Sequence, residues 1–175
     1  MYFENVKFAM TYPLQLVLGP ASLEILDCAN PQQRLGLIGV GQATLTARFF
    51  EGDVISPGKL EQAIEWTEDQ IQAAPVNFPA GAQLLTSEED LRALARVSGV
   101  SPGPHMVLHV EAVEATFSRL VMQAFGQAPQ QEALPTSARF FATVVFIREL
   151  MHHLHFPQIH VVDKHSLPPP VGSLA

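Results

Sequence analysis

Two groups of residues in this 175-residue chain have types and spacing that chemistry can use. The first is rich in histidine. His152, His153, His155, His160 and His165 crowd one stretch, with Glu149 and Asp163 beside them. On a helix, Glu149 and His152 lie about one turn apart on one face. A carboxylate and an imidazole so placed are half of a carboxylate-bridged di-metal site, which needs a second such pair from another helix. This reading names Glu149 and His152 as metal ligands, with Glu111 and Glu114 as further carboxylates that a neighbouring helix can donate. His152 and His153 point about 100° apart and do not easily share one ion. The plainer reading is a histidine-rich helix C-terminus, where imidazoles meet the negative end of the helix dipole and bond the last carbonyls.

The second group is Gly39-Val40-Gly41-Gln42-Ala43-Thr44. As the start of a dinucleotide fingerprint it fails. The third glycine is replaced by Thr44, and the following residues alternate as a strand, whereas a pyrophosphate needs a helix N-terminus. As a turn between two strands it offers the backbone N–H groups of Gly39 to Gln42 as a nest for a small anion. The ligand-binding candidates are then Gly39, Gly41, Gln42 and Thr44. The plainer reading is a tight turn whose glycines supply positive φ.

A strand, a Gly-x-Gly-x-x-Thr turn and a second strand resemble the phosphate hairpin of sugar kinases, actin-like ATPases and the exopolyphosphatase family, over about 20 residues. The resemblance implies an α/β ribonuclease-H-like half domain of the actin-like kind. It also implies phosphate-ester or nucleotide handling at Gly39 to Thr44, and a second similar domain to close the cleft. The pattern departs at Ile38, where those hairpins carry an aspartate just before the first glycine.

Other chemistry has less to stand on. Cys28 is the one cysteine, so it forms no intramolecular disulfide and no cysteine-built zinc site, and no basic neighbour activates its thiol. No Gly-x-Ser-x-Gly elbow is present. Glu68-Asp69 and Glu88-Glu89-Asp90 fall in helical turns, where solvent or the helix dipole explains them.

The elements that must position these residues follow from apolar periodicity. Short apolar runs at 14–18, 22–26, 35–38 and 43–50 read as strands joined by turns at Gly19-Pro20, Asn30-Pro31 and Glu51-Gly52, with a short fifth strand at Val54-Ile55. Ser56-Pro57 starts an amphipathic helix over 57–73, with Trp66 off its apolar stripe. Gln83-Leu84-Leu85 reads as a strand. Thr86 and Glu89 form a capping box for a helix ending near Val97. A third helix spans 107–125 and a fourth 136–155, the latter apolar around most of its circumference. A last, interior strand covers 159–163.

Strands first and helices after give an α+β class: an antiparallel meander of four to five strands, about four helices, and a C-terminal strand returning to a mixed sheet. The expected organisation is a single domain over 1–165 and a proline-rich extended tail over 166–175. Apolar residues make up 47% and charged residues 15%, with net charge −7, which excludes both disorder and a basic nucleic-acid binder. No apolar window is long enough to span a bilayer, and no signal peptide opens the chain. The low charge, the apolar fourth helix and Trp66 point to a homo-oligomer, with a dimer as the expectation. The composite reading is a soluble cytoplasmic, oligomeric small-ligand-binding or interaction protein of unknown cofactor, with a small anionic ligand as one partner. The alternatives are a phosphate-ester enzyme using the Gly39–Thr44 hairpin and a metal-dependent site at Glu149 and His152.

Overall fold

The computed structural model describes residues 12–52, 55–127 and 133–167. Its element order is β1 (Tyr12–Leu18), β2 (Leu23–Asp27), β3 (Arg34–Ile38), α1 (Gln42–Leu45), α2 (Pro57–Ala73), β4 (Ala82–Thr86), α3 (Glu89–Val97), β5 (His105–His109), α4 (Val110–Ala124), α5 (Ala138–His153) and β6 (Gln158–Val162). The strands form one six-stranded mixed sheet in the order β3-β2-β1-β4-β6-β5. β1, β2 and β3 are an antiparallel meander, β4 runs parallel to β1, and β6 runs parallel to β4. β5 closes the far edge antiparallel to β6. The returning C-terminal strand is thus interior, as its apolar sequence requires.

Register sorts the strand residues into two faces. Leu14, Leu16, Leu23, Ile25, Ile38, Leu84, Met106, Leu108, Ile159 and Val161 share one face and one core. The buried sides of α2, α3, α4 and α5 enter that same core. α5 touches every other helix, and Phe140 to Ile147 are buried without a break. The apolar circumference of the fourth helix is therefore covered within one chain. Trp66 is covered too, with the Phe49 ring 5.5 Å away and the Arg48 guanidinium 5.0 Å above its own ring. The Ser56 cap expected from sequence holds, accepting from the Lys59 N–H at 3.2 Å, and Ser137 caps α5 by accepting from the Phe140 N–H at 3.2 Å.

Four expectations are corrected. Residues 43–50 are a helix rather than a fourth strand: α1 continues as one wide π-helical turn over Thr46–Phe50. Leu45 and Phe50, five residues apart, are both buried, which strand alternation cannot give and one wide helical turn does, with Phe50 packed on Phe141 (ring centroids 5.2 Å apart). The meander therefore has three strands, and the proposed fifth strand includes Val54, which lies outside the described residues. Residues 105–109 form β5, where periodicity alone merged the apolar run into the following helix. Finally, Thr86 does not cap α3: its hydroxyl accepts from the Glu88 N–H at 3.2 Å, and Glu88 occupies the cap position without a side-chain bond. The tail over 168–175 also lies outside the described residues.

The fully buried Phe146 sits on the enclosed helix. Phe146→Ala is expected to cost about 3–5 kcal/mol by transfer loss plus cavity, measured by urea unfolding.

Candidate functional site

In an open sheet of this kind the carboxyl ends of parallel strands are where a ligand crevice forms. Here β1 ends in the tight turn Gly19-Pro20-Ala21-Ser22, with the Gly19 N–H donating to the Ser22 carbonyl at 2.9 Å. β4 ends at Thr86, and Glu88 beyond it accepts from the Leu18 N–H at 3.4 Å. β6 ends at Val162, followed by Asp163, which pairs with Arg92 at 2.9 Å.

The Gly39–Thr44 segment lies against that first turn, as the link from a strand to a helix. The Ala43 and Thr44 N–H groups, first in the helix, donate to the Pro20 carbonyl at 3.0 and 3.4 Å. Gly41 has φ −118°, so left-handed freedom is not why a glycine stands there. Close approach is the reason: a Cβ on Gly41 would lie 2.4 Å from the Pro20 carbonyl carbon and 2.5 Å from the Ala21 nitrogen. Gly39 has open space around it. Gln42 is buried, and its amide donates to the Thr143 hydroxyl of α5 and, at 3.5 Å, to the Arg139 carbonyl. The Thr44 side chain carries no described bond. The structure thus gathers Gly41, Gln42 and the Thr44 backbone at one junction; the turn takes the Ala43 and Thr44 amides, not those of Gly39 to Gln42 that were expected to form the nest. The Arg139 guanidinium nearby is paired with Asp90 at 2.7 Å.

The histidine-rich group divides between two places. On α5, His152 turns toward Glu114 of α4, the acceptor that sequence could name but not orient. Arg148 holds the same Glu114 through Nε at 2.9 and 3.1 Å, and also bonds Glu149. Burial works against the Glu114 charge, but the bonds from Arg148 and His152 outweigh it and hold the carboxyl below its ordinary range. Glu149 does not meet His152. It faces His153, one turn on, and Glu68 of α2. Burial pushes the Glu149 carboxyl up, and the Glu68 charge adds to that while Arg148 opposes it. His155 is left-handed (φ 58°) in the turn that closes α5, where the Phe156 N–H reaches back to the Met151 carbonyl at 3.0 Å.

His160 belongs elsewhere, on the sheet face opposite the helices. The His105 ring stacks on it, with Nε2 2.9 Å from His160 Nδ1, and Gln158 reaches its Nε2 at 2.9 Å. His105 falls just before the helix expected from 107, and sequence reasoning assigned it to no element. The alternation His105-Met106-Val107-Leu108-His109 was the available signal. Burial, then the nearby His105 and His109, push the His160 imidazole down to about 4. Cys28 is buried and its thiol is pushed up to about 11 by burial and by Asp27, an inert setting.

No known protein family's sequence profile matches the chain, and no curated protein matches it. Solved structures do. The chain resembles the PPX-GPPA enzyme of Aquifex aeolicus with a TM-score of 0.62 at 14% identity, over 87% of this chain and 53% of that one. It resembles an exopolyphosphatase-like protein with a TM-score of 0.66 at 12% identity, over 94% and 58%. An exopolyphosphatase from Cytophaga hutchinsonii gives 0.59 at 15% identity, over 92% and 57%. The class of fold is thus that of the exopolyphosphatase-like enzymes, the actin-like alternative, and the chain spans a little over half the length of each neighbour.

Two measurements check this geometry. Gly41→Ala is expected to destabilise by about 1–3 kcal/mol, the cost of overpacking a tight site. Gly39→Ala should stay within about 0.5 kcal/mol in the same urea titration. His160 binds a proton less readily folded than unfolded. Its contribution to stability is therefore full above the ordinary value of 6.5 and is lost as pH falls toward about 4. Melting temperature should drop across that window, and His160→Gln should flatten the slope.

Proposed function

We propose that this chain is a binding and assembly module on an exopolyphosphatase-like fold, acting as a homodimer and releasing no phosphate by itself. One observation carries the reading: the turn after β1 closes onto Gly41, and its Pro20 carbonyl takes the helix amides that would otherwise face an anion. Neither Gly19–Ser22 nor Gly39–Thr44 contains a basic residue, and a phosphoryl group needs cationic clamps as well as amides. The dimer reading rests on the low charge content, 15% of residues, since the chain itself covers α5 and packs Trp66. A small anionic ligand would then sit between copies rather than within one. No helix among the described residues is long and apolar enough to cross a membrane. The single buried cysteine supports the reducing cytoplasm as the place of action.

Light scattering at micromolar concentration is expected to give twice the chain mass, and a monomer would remove the assembly reading. Incubation with polyphosphate, a nucleoside tetraphosphate and a simple phosphomonoester, with and without Mg2+, should release no phosphate. Release that Gly41→Ala abolishes would overturn the non-hydrolytic reading in favour of an enzyme acting at this junction.

A further inference from the structure

The polar end of α5 holds a buried group that the fold's own pairing leaves unexplained. Glu149 is 2% exposed, and its Oε1 is taken by Arg148. Its Oε2 receives no hydrogen bond: the nearest polar atom is His153 Nε2 at 3.7 Å, beyond hydrogen-bond reach. Oε2 is not fully enclosed, and it is the oxygen of this otherwise buried carboxylate that is left for a ligand. Glu68 Oε1, from α2, stands 3.5 Å from the same Nε2, at the outer edge of hydrogen-bond reach. The three ligand atoms lie within 4.8 Å of one another, and no other such group occurs among the described residues.

These separations suit an ion at the centre better than bonds between the members. Donors at about 2.0–2.1 Å from a tetrahedral Zn2+ stand roughly 3.3 Å apart. The imidazole is aimed for the purpose. Gln72, one turn beyond Glu68, has its side-chain amide 3.5 Å from His153 Nδ1, which holds the ring with Nε2 toward both carboxylates; with the amide oxygen turned to accept from Nδ1–H, Nε2 carries the lone pair a metal needs. The charges agree as well. Arg148 is shared between Glu114 and Glu149, so with Glu68 three carboxylates stand against one guanidinium, a surplus that a cation offsets. His153 and Glu68 are partly exposed, so the site opens to solvent on one side.

We propose that Glu68, Glu149 and His153 bind one divalent transition-metal cation of the Zn2+ class, tying α2 to the end of α5. Two carboxylates and an imidazole favour such an ion over Ca2+, which takes more oxygen ligands. The fourth position is left to water. The site lies roughly 20 Å along α5 from Arg139, from a rise of 1.5 Å per residue, and is independent of the junction at Gly41.

The experiment uses untagged, chelator-treated protein and ZnCl2 alone. One Zn2+ per chain should be retained after dialysis, and melting temperature should rise with added Zn2+. Glu68→Gln and His153→Gln, both at partly exposed positions, should each weaken Zn2+ binding at least tenfold by calorimetry. His152→Gln should leave it within twofold, because His152 serves Glu114. No retained metal and no thermal shift would overturn the site. So would binding that His152→Gln removes and His153→Gln spares. Because Glu149→Gln also alters the Arg148 pair, the two milder variants decide the outcome.

Discussion

The enclosure of α5 is the constraint from which most of this structure follows. A helix lined on all sides by Phe140, Phe141, Val144, Val145, Phe146 and Ile147 must be packed between the sheet and other helices. α1 and α2 supply that cover on one flank, α3 and α4 on the other. The cost falls on the helix's polar residues. Thr143 and Glu149 are carried inside with it, and each needs a partner there. Thr143 meets Gln42 and its own helix's Arg139 carbonyl. Glu149 meets Arg148, whose guanidinium also lies 4.7 Å over the Phe117 ring. The buried polar residues of this helix thus draw their partners to its two ends, apart from the His105–His160 pair on the opposite sheet face.

The same enclosure explains the junction at Gly41. Gln42 has to reach Thr143, so α1 must start close above α5, and this brings Gly41 onto the turn after β1. A turn and a helix N-terminus in contact share one carbonyl for two amides. Where a phosphate-binding hairpin leaves such amides to a ligand, this chain satisfies them internally. The fold class and the chemistry of the junction thus separate: backbone topology follows the exopolyphosphatase-like neighbours, while the local hydrogen bonds are those of a closed contact.

How much of this was legible in sequence depended on whether neighbours in the chain or neighbours in space decided it. The helix over 57–73, its Ser56 cap, the strand at 82–86 and the interior C-terminal strand were legible because local capping and periodicity agree with burial. Residues 43–50 were not. Their β-branched and aromatic residues alternate, yet Phe50 is placed by Phe141 from ninety residues away in sequence. The strand His105–His109 was hidden for the opposite reason, since five alternating residues run straight into a helix with no breaker between. At the site, Glu149 and the histidines were legible as a group. Which histidine faces Glu149 was not, because one turn of helix offers both the third and the fourth residue on. The choice falls to α4, where Glu114 draws His152 away, and to α2, where Glu68 and Gln72 meet His153.

A chain with 15% charged residues has few cations to distribute, and where they go limits what the protein can hold. Each arginine is engaged within the molecule. Arg34 meets Glu24, Arg92 meets Asp163, Arg96 meets Glu89, Arg139 meets Asp90 and Arg148 meets Glu114. Arg48 lies over Trp66, and Arg119 donates to the Val97 carbonyl at 3.1 Å. Capturing a phosphate with any of the five ion-paired arginines means first releasing a carboxylate, which then repels the same ligand. The acidic surplus has the reverse effect on a metal cation. Where Glu68 and Glu149 converge, one guanidinium, Arg148, serves both Glu114 and Glu149, and a divalent ion relieves repulsion instead of adding to it. The low charge content therefore biases the two polar ends of α5 in opposite directions: the end near Arg139 is electrically closed, and the end near His153 remains open to a cation.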